Sequence, residues 1–198
     1  MTAFLFGLLT SALLSEEDLR FAYNGKQGAD TSCGVAATAS LLRYWNAPVA
    51  EADLYQDMIF NNARRGDANY SVSFKDIMDC LSRYGLAARA YKMDWEGLRD
   101  ALAKGFAPML IHYDKPNPHF ALLLHIEGGY AFAADPAKGF EFVDKREFER
   151  NYSGNALLAA SARMEKNGGR IESLIAKEKG RLDALRRIAG GRTLGGLR

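Results

Sequence analysis

The chain has 198 residues, 48% hydrophobic and 25% charged, enough for one globular domain with a full core. A formal net charge of +2, and no basic patch interleaved with aromatics ahead of the C-terminal tail, argue against a nucleic-acid partner. The two cysteines, Cys33 and Cys80, form no CxxC and no Cys/His cluster, so neither a metal nor a cofactor is expected.

Residues 1–14 (MTAFLFGLLTSALL) carry no charge and are too few to span a membrane as a helix, which needs about 20 apolar residues. They resemble the apolar region of a secretory signal, although no Lys or Arg precedes them and Ser11-Ala12 is a poor cleavage site. They read as a signal remnant or as an N-terminal helix packed on the domain. The first reading implies an exported or periplasmic protein; the second leaves the cytoplasm open.

Residues 15–164 read as the main domain. After a polar loop, Cys33 to Trp45 (CGVAATASLLRYW) has helical spacing, small residues for close packing, and Ser32 as its N-cap. Glu51 to Asn61 predicts a second helix. Ser73 and Asp76 form a capping box for a third, which Gly85 ends. Its apolar stripe is Ile77, Leu81 and Tyr84, and Cys80 beside it reads as a small core residue. A strand follows over Leu86 to Met93 and a fourth helix over Trp95 to Lys104.

The character then changes. Strands are expected over 108–113, 120–126, 130–134 and 141–143, with Gly128-Gly129 as a hairpin turn. A short helix over 145–151 and a last strand over 156–161 complete the domain. Helices first and antiparallel strands second predict an α+β fold of packed layers. Residues 165–198 form a charged tail, with a helix over Ile171 to Ile188 and a flexible GGRTLGGLR end.

Chemistry begins at Cys33, which opens a helix. Its position favours thiolate over thiol, because a helix N-terminus carries about half a positive charge and unpaired N–H groups. A thiolate nucleophile needs a base. His112 and His125 lie inside apolar strands and read as packed histidines, whereas His119 follows Lys-Pro-Asn-Pro where a strand begins. Asp135 could orient that imidazole from the adjacent strand. A two-residue hairpin loop would set Asp135 and His119 on opposite faces, so a three- or five-residue loop is required. Gln27, six residues before Cys33, could donate its side-chain N–H to an oxyanion beside the Cys33 amide.

Taken together, QGADTSCGVAATASLLRY and HFALLLHIEGGYAFAADPAKGF resemble the C39 double-glycine peptidases. That resemblance runs from about Arg20 to Met164 and matches Gln27, Cys33, His119 and Asp135 in order. It differs in Ser32, where the family usually has Asp or Asn. It implies a papain-like fold, with a helical layer carrying the Cys and an antiparallel sheet carrying His and Asp. It also implies cleavage after Gly-Gly or Gly-Ala in a leader or secreted peptide, in company with a secretion system. With no membrane span and no Walker motif, the chain is most similar to members that are not fused to an ABC transporter.

Two other readings use the same residues. One is an acyltransferase or amidase passing through the same thioester. The other is a non-catalytic peptide-binding secretion module, against which the complete four-residue set argues. In the tail, Leu185, Ile188 and Gly190-Gly191 repeat the leader spacing of that family. The tail is thus a substrate mimic or self-substrate, or else a solvated charged helix.

Overall fold

The computed structural model of the protein describes residues 21, 24–28, 32–64, 66, 72–166 and 168–192. The signal-like segment 1–14 and the chain beyond Arg192 lie outside these residues.

The chain enters the core directly through α1 (Cys33–Tyr44), whose Val35, Ala36, Ala37, Leu41 and Leu42 are all buried. Small residues let neighbours close around every side of it. Its two buried hydroxyls satisfy themselves: Thr38 donates to Gly34 O at 2.7 Å and Ser40 to Ala36 O at 2.8 Å. Ser32 occupies the N-cap position, and its carbonyl accepts from Ala36 N at 2.9 Å. Its side chain does not cap the helix, contrary to expectation. The hydroxyl instead donates to the Glu51 carboxylate at 2.8 Å, a charged and therefore stronger acceptor.

Next come α2 (Glu51–Arg64) and α3 (Phe74–Arg83). The predicted capping box of α3 is present, with Ser73 N donating to Asp76 Oδ2 at 2.9 Å and Asp76 N to Ser73 Oγ at 3.3 Å. Gly85 follows with φ +78°, the left-handed conformation that ends the helix. Then follow β1 (Ala87–Lys92), α4 (Trp95–Ala103), β2 (Met109–Tyr113), β3 (His119–Glu127), β4 (Tyr130–Asp135), β5 (Gly139–Asp144), α5 (Lys145–Asn151) and β6 (Tyr152–Ala160). The sheet order is β1-β6-β2-β3-β4-β5, antiparallel throughout. The last strand thus returns to the interior of the sheet, between the edge strand β1 and β2.

On one face of the sheet α1, α2 and α3 bury Leu41, Leu54, Met58, Ile77 and Leu81 against Phe120, Leu122 and Leu124. The other face is also covered. There Trp95, Leu98 and Phe148 of α4 and α5 pack on Ile111, Ala121 and Leu123. The fold is therefore α+β, with a helical layer ahead of an antiparallel sheet and a second, smaller core behind it.

The β3–β4 hairpin corrects the sequence reading. Glu127 pairs with Tyr130, so the loop is the two residues Gly128 and Gly129, both at positive φ (58° and 81°) as a tight primed turn demands. The parity this would impose does not persist. Leu123 pairs with Ala133 but His125 pairs with Phe132, leaving Leu124 as an extra residue in β3. Beyond the bulge the pairing is Leu122 with Ala134, and one step further brings Asp135 opposite Ala121. The required geometry is reached by a bulge, not by a longer loop.

The tail helix α6 spans Gly168–Arg192. It packs on β3, with Ile171 buried in the larger core. It is longer at both ends than expected and carries Gly190-Gly191 within its last turns, where a flexible end was predicted. A run of good helix formers before the pair outweighs the cost of about 1 kcal/mol per glycine.

Candidate active site

Cys33 is the first residue of α1 and is partly exposed. Immediately after it, Gly34 allows α1 to approach β3. A β-carbon there would stand 3.1 Å from both Phe120 Cδ2 and Val72 Cβ, closer than packed carbons sit. That close approach brings the start of α1 against the start of β3, where His119 stands.

Nε2 of His119 lies 2.8 Å from Asp135 Oδ1, and the His119 side chain also hydrogen-bonds to Cys33. With Nε2 given to Asp135, Nδ1 is the ring nitrogen left for the sulfur. The imidazole is 19% exposed and the carboxylate 0%. Asp135 is fixed from behind, because its Oδ1 also accepts from Ala137 N at 2.7 Å and Lys138 N at 3.2 Å. Both donors belong to the turn after β4, so the Asp-Pro turn and the carboxylate that meets His119 are one structure.

The electrostatics follow from these contacts. Burial alone would raise the Cys33 pKa. The His119 hydrogen bond and charge, with the N–H groups of Phe120 and Gly34, outweigh it and hold the thiol below its ordinary value. Burial alone would lower His119, but hydrogen bonds and charge from Asp135 and Cys33 raise it to about 9. Asp135 is lowered in spite of its burial, by the His119 hydrogen bond and charge, the Ala137 N–H and the Lys138 charge. The pair therefore favours thiolate and imidazolium together.

The other histidines differ. His112 packs against Phe120 with ring centroids 4.8 Å apart, and His125 against Phe132 at 5.4 Å. Burial lowers the pKa of both. Cys80 is a free, fully buried thiol, and Cys33 is free as well.

Gln27 is brought to the same region from the other direction. Its backbone N–H donates to the carbonyl of Pro136, next to Asp135, at 2.9 Å. The neighbouring backbone is anchored too, Gly25 N to Ser40 Oγ at 3.0 Å and Gly28 N to Glu51 Oε1 at 3.1 Å. The side-chain Oε1 of Gln27 is buried without a hydrogen-bond partner. Sequence reasoning missed Glu51, which lies far from Gln27 and Cys33 along the chain and carries no local motif. Among the described residues no group of three or more His, Cys, Asp or Glu side chains could hold a metal, and no helix is long and apolar enough to cross a membrane.

The fold is that of a papain-like cysteine peptidase, as the comparisons with known proteins show. The model of the Peptidase C39 family matches residues 23–164, and the chain belongs to that family. It is 28% identical over 149 residues to the "Probable functional amyloid protease FapD" of Pseudomonas aeruginosa, covering 75% of this chain and 65% of that protein. A second FapD, from Pseudomonas fluorescens, is 27% identical and 61% covered, so the chain spans less than two thirds of these curated relatives. It is also similar to the crystal structure of a double glycine motif protease from an AMS/PCAT transporter in complex with the leader peptide. There the TM-score is 0.58 at 28% identity, covering 68% of this chain and 87% of that one. The peptidase domain of Streptococcus ComA shares the fold, with a TM-score of 0.59 at 18% identity, covering 70% of this chain and 98% of that one.

Proposed function

We propose that the protein is a cysteine endopeptidase that cuts after Gly-Gly or Gly-Ala in a leader or secreted peptide. The observation that carries this reading is the hydrogen-bonded series Cys33, His119, Asp135, with 2.8 Å between the last two. In the proposed cycle the Cys33 thiolate attacks the scissile carbonyl carbon. The carbonyl oxygen takes the negative charge and is stabilised by the Cys33 N–H and the Gln27 amide. As the C–N bond breaks, imidazolium His119 gives its proton to the departing amine, leaving a thioester on Cys33. Water then adds to the thioester while His119 takes a proton from it, and the thiolate departs. Asp135 holds the ring in register through both proton transfers.

The choice of substrate rests on relatives. One is described as a double glycine motif protease bound to a leader peptide, and another as a probable functional amyloid protease. On this reading residues 15–164 are the peptidase domain, and it acts on exported peptides beside a secretion system. The test is incubation with a synthetic leader peptide carrying Gly-Gly, followed by mass spectrometry. Cleavage after the second glycine is expected, and Cys33→Ala abolishes it. Cleavage that survives Cys33→Ala overturns the mechanism. Cleavage at other sites overturns the specificity.

A further inference from the structure

We infer that Glu51 is a positioning residue that holds the Gln27 oxyanion donor in register with the Cys33 nucleophile, an inference that rests on the cysteine-peptidase reading above. One oxygen of its carboxylate, Oε1, accepts two hydrogen bonds. Gly28 N, the residue after Gln27, donates at 3.1 Å, and Ser32 Oγ, the residue before Cys33, donates at 2.8 Å. The clamp therefore grips the chain one residue beyond the proposed donor and one residue short of the nucleophile.

The other anchors given by the described residues run elsewhere. Gly25 is tied to α1 through Ser40, and Gln27 to the Asp135 turn through Pro136. Those two bonds fix the loop to its surroundings, but neither links the Gln27 side to the Cys33 side. Glu51 is well suited to the task. It is the first residue of α2, where the helix dipole favours a carboxylate, and a charged acceptor makes shorter and stronger bonds than a neutral one. It also explains why Ser32 forgoes capping α1. Turned toward Glu51, its hydroxyl does not cap the first turn of α1.

Oxyanion donors act only when pre-aimed, so a loosened loop slows chemistry without weakening substrate binding or thiolate formation. The test compares Glu51→Ala, Gln27→Ala and the double variant in three readouts. These are kcat and KM on the Gly-Gly leader peptide, the iodoacetamide alkylation rate of Cys33, and the affinity for acetyl-Gly-glycinal, an aldehyde captured as a hemithioacetal. Gln27→Ala is expected to lower kcat about 100-fold. Glu51→Ala lowers it about 10- to 100-fold and weakens aldehyde capture in parallel, with KM and alkylation unchanged. Added to Gln27→Ala, Glu51→Ala costs about twofold at most, since it acts through the same group. Glu51→Gln, which keeps an acceptor oxygen at the same reach, restores most of the loss.

Losses that multiply fully in the double variant, or an alkylation rate that falls with kcat, overturn the inference and leave the peptidase reading intact. If Gln27→Ala has no effect, the inference falls while the peptidase reading stands without that donor; if the wild type neither cuts the peptide nor captures the aldehyde, the peptidase reading fails and this inference with it. Should Glu51→Ala not fold, Ser32→Ala removes one of the two bonds and must reproduce the pattern at smaller size.

Discussion

The chain's two cysteines both sit on helices, and the difference lies in where along the helix the sulfur falls. Cys33 is the first residue of α1, where the N–H groups of Gly34 and Phe120 and the His119 ring reach its sulfur. Cys80 is inside α3 on the apolar stripe and fully buried, where burial pushes its pKa to about 11 in spite of nearby Arg83. Burial acts on both sulfurs in the same direction. What separates them is the supply of donors to the thiolate: Cys33 has the His119 ring, the Phe120 N–H and the Gly34 N–H, whereas Cys80 has Arg83, which does not offset its burial.

The strongest way to break the contrast is His119→Ala. Cleavage is expected to fall about 1000-fold. Burial then acts on Cys33 with little opposition, so its pH-dependent alkylation shifts upward toward the behaviour of Cys80; an unshifted profile would mean that the helix terminus alone makes the thiolate.

Asp135→Asn tests the next link and should cost about 100-fold. The sign of the pH effect follows from the contacts. On the proposed mechanism the ion pair forms above the lowered pKa of Cys33 and is lost as pH rises through the His119 value of about 9. Removing the carboxylate charge lowers the His119 value, so the alkaline limb of the rate profile moves to lower pH. A limb that stays near 9 would exclude Asp135 as its cause.

Gly34→Ala presses a methyl group against Phe120 and Val72. A loss of about 1–3 kcal/mol in stability is expected, read as a lower urea midpoint. Smallest is Cys80→Ala, about 1 kcal/mol in stability with alkylation and cleavage unchanged. Alkylation of Cys80 at neutral pH would undo the comparison.

Features written in short stretches of sequence were legible. The α1 helix, the Ser73–Asp76 capping box and the Gly128-Gly129 turn each depend on residues within a few positions of one another, and each is present. The order Gln27, Cys33, His119, Asp135 is an expectation drawn from resemblance, and the structure sets His119 beside Asp135 and Cys33. What sequence alone does not disclose depends on distant partners. Ser32 looks like an ordinary cap until Glu51 competes for its hydroxyl. The insertion of β6 between β1 and β2 is decided by packing on both faces of the sheet, which no local pattern records. The bulge at Leu124 left no mark because Leu122, Leu123 and Leu124 are all buried, and an unbroken apolar run hides a change of phase.

That bulge has a consequence for how such a hairpin can vary. It works as a phase shifter, dividing the ladder into a segment governed by the turn and a segment governed by the site. Residues between Leu124 and Gly128 obey one parity and those between His119 and Leu123 the other. Shortening β3 by its one supernumerary residue would rotate every side chain on one segment by half a pleat, parting His119 from Asp135 without touching either. Changes at the glycine tip that keep the ladder in step would leave the pair together. The half of this hairpin that carries His119 and Asp135 is thus insulated from its exposed end by one leucine.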